Sequence, residues 1–197
     1  MNASEHMPSI NLANMKKDLM NVVGANNILE DPENLEAYSK DFSLSAHRKP
    51  YLVVKPTSAE QVQKVVEICN KYRVALIPKS SKVGFYGATI PDDFSITVDL
   101  SGMKRILDVD ERNRLVRFEP GVTWGELQME LEKHGLMALI PLLPHSAKSA
   151  LTSSLEREPS LIPKQEYQEP TLSLEVTLPS EGLFRTGPAA FAATELK

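Results

Sequence analysis

The sequence predicts an α+β fold built in two lobes, and three observations predict it. A strand–helix–strand pattern runs through residues 51–77. Two stretches, 106–118 and 172–185, each hold two alternating segments around a polar turn and read as antiparallel hairpins. One helix follows the break at Pro120-Gly121, between the hairpins. This order lacks the regular strand–helix alternation of an open doubly wound sheet.

Taken in order, the first ten residues read as a loose tail. Leu12, Met15, Leu19, Val22 and Val23 then recur at helical spacing, with Gly24 as a left-handed cap. Asp31-Pro32 opens a short helix expected over 32–39. Tyr51 to Lys55 is a β-rich run. Thr57 and Glu60 are spaced as a capping box before a helix whose apolar face is Val62, Val65, Val66, Cys69 and Tyr72. Val74 to Ile77 reads as a buried strand, giving a parallel pair with its predecessor. Ile96, Val98 and Leu100 alternate as another strand. Thr123 and Glu126 make a second capping box, with Trp124, Leu127 and Leu131 behind it as core. Prolines interrupt 136–170, where a short helix is expected over 149–155.

Bulk properties exclude several function classes. The 197 residues suit one domain of two small lobes. A hydrophobic fraction of 42% with 24% charged residues supports a packed core and argues against global disorder. The net charge of -4 gives no general reason to bind nucleic acid. The single cysteine, Cys69, permits no internal disulfide and no cysteine-based metal site, which fits a reducing compartment. His6, His47 and His134 show no metal-ligand spacing. No apolar run approaches the ~20 residues that cross a bilayer. The first 14 residues lack the basic and apolar regions of a secretory signal, so a cytoplasmic location is expected.

The chemistry-bearing segment is PKSSKVGFYGA, residues 78–88. It leaves a strand and turns through Ser80, Ser81, Gly84 and Gly87. Successive backbone N–H groups in such a turn can form a concave nest for phosphate oxygens, and small side chains permit close approach. Lys79 and Lys82 add positive charge. Taken alone, such a small-residue segment is more often a plain connecting loop. It is neither a G-K-[ST] Walker loop nor a G-x-G-x-x-G turn.

Order along the chain adds to this. After the loop come DLSGMKRILDVD (99–110), RFEPGVTWGELQMELEKHGL (117–136) and SLEVTLPSEGLFRTG (173–187). With KPYLVVKPTSAEQVQKVVEICNKYRVALIPKS upstream, the run resembles the FAD-binding domain of the vanillyl-alcohol oxidase, 4-cresol dehydrogenase, glycolate oxidase and D-lactate dehydrogenase flavoproteins, the PCMH-type domain. The resemblance spans 27–187, leaving 1–26 as tail and helix and 188–197 as a C-terminal tail.

It implies extended FAD in a cleft between two lobes. Lys79, Ser80, Ser81, Lys82, Val83, Gly84, Tyr86 and Gly87 would hold the diphosphate. Pro144, Ser149, Thr152, Ser153 and Glu156 fall where the family has a second, usually glycine-rich FAD segment; here PHSAKSALTSSLE has lost nearly all its glycines. The resemblance also implies an oxidoreductase acting on an alcohol or a 2-hydroxy acid. It implies that the chain stops before a cap domain, which a partner subunit could supply, and no catalytic residue carries over. The alternative is an FAD- or nucleotide-binding module without turnover of its own. Gly84→Val is expected to block backbone approach to the diphosphate and abolish FAD retention on gel filtration, with the lobe still folded by circular dichroism.

Overall fold

The computed structural model describes residues 11–91, 94–159, 171–180 and 182–187. The expected tails at 1–10 and 188–197, and the prolines 163 and 170, lie outside these.

Helix α1, Leu12–Val23, is capped by Asn11, whose side chain accepts from the Asn14 N–H at 3.1 Å. Its Met15, Leu19 and Val23 are buried on the expected face. Gly24 has a positive φ of 84°, but ψ is 150°, so the chain leaves in an extended direction rather than through a left-handed helical cap. Helix α2 is Pro32–Glu36, shorter than expected. After Glu36 the N–H groups of Tyr38 and Ser39 turn to carbonyls three residues back, which tightens and ends the helix.

The first lobe carries a four-stranded sheet of β1 (Ile28–Leu29), β2 (Leu52–Val54), β3 (Ala75–Lys79) and β4 (Ser95–Asp99), in the order β1-β2-β4-β3. Strands β2 and β3 are parallel, as the strand–helix–strand pattern suggests, yet they are not neighbours. Strand β4 inserts between them, pairing Val53 and Ile77 to Thr97. All five residues of β4 are buried, as a central strand requires. Strand β3 is therefore an edge and only partly buried, which accommodates Pro78.

Helix α3, Ala59–Tyr72, connects β2 and β3. Its cap is Ser58, not Thr57. The Gln61 N–H bonds the Ser58 hydroxyl, while the Gln61 amide oxygen accepts from the Thr57 N–H at 2.8 Å. The box is shifted by one residue because Gln61, rather than Glu60, sits three beyond the cap. Alternation divides β4 between two environments. Ile96 and Val98 join Leu52, Val54, Leu19 and Val65 in one core. Ser95, Thr97 and Asp99 lie on the other face.

The second lobe holds the hairpin β5 (Ile106–Asp110) and β6 (Leu115–Phe118), with α4 (Trp124–Lys133) and α5 (Ala150–Leu155). Its core gathers Val122, Trp124, Leu127, Leu131 and Ala150. The Thr123–Glu126 capping box is complete. The last hairpin, β7 (Glu175–Leu178) with β8 (Gly182–Arg185), forms its own sheet and does not extend β5–β6. It lies against α3, where the Asn70 side chain donates to the Pro179 carbonyl at 3.1 Å.

Cys69 is core, and burial pushes its thiol up to about 12. Leu19 is fully buried between α1 and the sheet. Leu19→Ala is expected to destabilise the chain by about 2–5 kcal/mol through lost apolar burial and a residual cavity, measured by urea unfolding.

Candidate functional site

Strand β3 runs straight into the loop at 80–91, so the sheet fixes where the loop begins. Its position is then set from a segment that sequence reasoning missed. Asp41 accepts the Gly87 N–H at 2.9 Å and the Ser43 N–H at 2.8 Å, while the Phe42 N–H donates to the Gly84 carbonyl at 2.9 Å. Gly87 has φ +74°, and a Cβ there would lie 2.1 Å from the Ser45 hydroxyl oxygen, so no side chain fits without displacing the segment. The Gly84 position is less strict, with a Cβ 3.2 Å from the Asp41 carboxylate. Burial raises the Asp41 carboxyl, but Ser43, the Gly87 N–H and Lys79 together hold it below the usual carboxylate range. The available sequence signal was D-x-S at 41–43, a turn pattern in which Asp bonds the backbone two residues on.

The inner part of the loop is left open for a guest. Among the described residues, the backbone N–H groups of Ser81, Lys82, Val83, Gly84, Phe85 and Tyr86 have no hydrogen-bond acceptor. Backbone donors in folded chains are nearly always paired, so six consecutive free ones mark a place for an anion or for solvent. Lys82 and Tyr86 are exposed beside them; Ser81 and Val83 are buried. The Ser81 hydroxyl donates to the Val83 carbonyl at 3.1 Å and stiffens the turn.

The two segments expected to hold FAD meet. Ser80 of the loop and Thr152 of α5 are hydrogen-bonded through their hydroxyls. Alongside, the Lys148 ammonium lies 4.9 Å from the centre of the Phe85 ring and 5.5 Å from that of Tyr86. Lys148 is 1% exposed and pairs with Glu156 and with Glu158, the latter at 2.6 Å. Burial opposes its charge, but the two glutamates outweigh this and raise its proton affinity. Sequence reasoning passed over Lys148; a lysine set among small residues, with Glu156 and Glu158 following, was the signal.

The remaining second-segment residues have partners within the protein. Ser149 caps α5, donating to the Pro120 carbonyl at 2.7 Å and accepting from the Thr152 N–H. Ser153 accepts the Trp124 indole N–H at 2.8 Å. Glu156 is held by Lys148 and Pro144 is exposed. Of the residues expected here to hold FAD, Thr152 is the one the structure bonds to the loop. Lys79 turns inward, 5% exposed, with its ammonium 5.4 Å from the centre of the Tyr38 ring. A separate cavity of about 240 Å³, lined by Ser154, Arg157, Thr171 and Thr186 among others, flanks α5 where it approaches β7–β8.

The FAD binding domain family matches residues 50–149. The chain belongs to that family. The match takes in the loop, the 122–125 turn and the start of the second segment. FAD fits the residues present, because the turn presents a run of open backbone donors of the kind a diphosphate accepts from. D-2-hydroxyglutarate dehydrogenase of Stutzerimonas stutzeri is 33% identical over 119 residues, covering 60% of this chain and 26% of that protein. The 4-cresol dehydrogenase flavoprotein subunit of Pseudomonas putida is 27% identical over 171 residues, covering 84% and 33%. A glycolate oxidase subunit of Bacillus subtilis is 25% identical, covering 88% and 37%. The chain thus spans between about a quarter and two fifths of these relatives' lengths. The crystal structure of p-cresol methylhydroxylase superposes with a TM-score of 0.82 at 23% identity, covering 96% of this chain and 38% of that one. The fold of this FAD-binding domain is therefore the two-lobed PCMH-type fold.

Lys148→Met would leave Glu156 and Glu158 facing each other without a cation. A loss of about 3 kcal/mol at neutral pH is expected, the low end for a broken buried pair because both glutamates keep some exposure. Urea unfolding of both proteins at neutral pH measures it.

Proposed function

We propose that the chain holds FAD between its lobes and forms the FAD-binding part of a flavin-dependent oxidoreductase acting on an alcohol or a 2-hydroxy acid. The observation that carries the binding site is the run of unpaired N–H groups from Ser81 to Tyr86. In this reading they donate to the diphosphate, with Lys82 adding charge at the rim and Thr152 reaching from the other lobe to close the turn against Ser80. Gly84, whose Cβ position lies against Asp41, lets the loop sit close over that carboxylate. Residues 27–187 form the FAD-binding domain. When bound, FAD supplies the hydride-accepting chemistry; the protein supplies binding and orientation.

The substrate class is supported by the relatives, which are named for 2-hydroxyglutarate, glycolate and 4-cresol. The relative described as a flavoprotein subunit supports a cap-domain or electron-transfer partner subunit for this chain. No helix among the described residues is long and apolar enough to cross a membrane. A cytoplasmic site of action is consistent with that and with the single buried thiol.

A second reading, a flavin-binding module without turnover, is favoured by Lys148. Its pairing with Glu156 and Glu158 ties up most of the charge in the second segment and leaves few groups for a flavin there. One experiment separates the readings. The purified chain is mixed with FAD, passed through gel filtration and its visible spectrum recorded. Co-eluting flavin bands are expected, and their absence sinks the binding assignment. Anaerobic addition of lactate, glycolate or a phenolic alcohol should then bleach the bands. Retained flavin that none of them bleaches favours the second reading.

A further inference from the structure

A loop built for a diphosphate is here organised by another anion. The Asp41 carboxylate accepts from Gly87 and lies against the Gly84 position, so a fixed negative charge sits directly behind the free N–H groups. Like charges at this range repel. Something must offset Asp41 if phosphates are to approach.

Lys79 is placed to do so. It ends β3 one residue before the loop and is 5% exposed. Among the described residues its ammonium makes no ion pair within 4 Å and no hydrogen bond. It rests 5.4 Å from the centre of the Tyr38 ring, with Asp41 and Asp99 as its carboxylate neighbours. Asp99 already accepts hydrogen bonds from the Tyr38 hydroxyl at 2.7 Å and from the Ser101 N–H at 2.9 Å. Asp41 faces the loop. A buried lysine is costly, and an apolar side chain would serve packing as well. A buried ammonium that feels both carboxylates is therefore an electrostatic feature.

We propose that Lys79 is a positioning residue for FAD, whose ammonium neutralises the Asp41 carboxylate and so allows a loop shaped by one anion to accept a second. This rests on the assignment of 80–87 to the FAD diphosphate. Lys79 touches no phosphate in this scheme; it acts through Asp41.

A double-mutant cycle on the full chain tests it, with FAD affinity measured by flavin fluorescence and stability by thermal unfolding. Lys79→Met is expected to weaken FAD binding roughly tenfold when Asp41 is present. In the Asp41→Asn background the same change should cost less than about threefold, because the charge that Lys79 offsets is gone. Lys79→Arg should bind FAD as the wild type does. Equal costs of Lys79→Met in both backgrounds overturn the proposal, as does wild-type affinity in Lys79→Met. Folding of Lys79→Met only beside Asp41→Asn supports the compensation. Failure to fold in both backgrounds overturns it, since Lys79 then serves the core. A wild-type chain that binds no FAD defeats the loop assignment itself, whereas a binding wild type with equal costs defeats the Lys79 proposal alone.

Discussion

The site depends on a short exchange of backbone hydrogen bonds between 122–125 and 146–150. The Trp124 N–H donates to the Lys148 carbonyl at 3.0 Å, the Gly125 N–H to Ser146 at 2.9 Å, and the Ala150 N–H to Val122 at 3.0 Å. Thr123 and Ser149 face each other as an isolated antiparallel bridge. These bonds seat the second segment on the second lobe's core and aim α5 at the loop. Without them, Thr152 would have no reason to meet Ser80. The turn that makes this possible is tight. A Cβ on Gly121 would stand 2.6 Å from the Leu100 carbonyl oxygen, so the chain can pass there only as glycine.

That arrangement gives the phrase EPGVTWGELQ a physical meaning. Glu119 clamps the Arg105 backbone and guanidinium at 2.7–2.8 Å, Thr123 and Glu126 cap α4, and Trp124 reaches Ser153. The most recognisable part of the sequence is thus the frame behind the cofactor segment. Its residue types leave a legible trace because caps and close approaches admit few alternatives.

Other features were harder to read. Strand order was hidden because β2, β3 and β4 look alike as short apolar runs, and which one lies centrally depends on pairing across 40 residues. The bonding of the second segment was hidden in a different way. Ser149, Ser153 and Glu156 have the chemistry of ligands but are engaged by Pro120, Trp124 and Lys148, residues brought near by the fold. Asp41 went unread because its partner Gly87 is distant in sequence, and Lys148 because the rings it faces, Phe85 and Tyr86, belong to the far loop. The loop itself was legible from its small residues, though its open donors are visible only in three dimensions.

Pro78 gains a further meaning from its place on an exposed strand. The free side of β3 offers backbone groups to any extended chain that comes alongside, and an edge so close to the loop is vulnerable. A proline there has no N–H to offer, so that side is a poor template for a foreign strand. The protection reaches beyond solubility. A strand added at β3 would be tied to the residues that lead into 80–87, and aggregation would begin by deforming that turn. One imino acid at the mouth of the loop thus keeps self-association away from the stretch of backbone whose donors stand open.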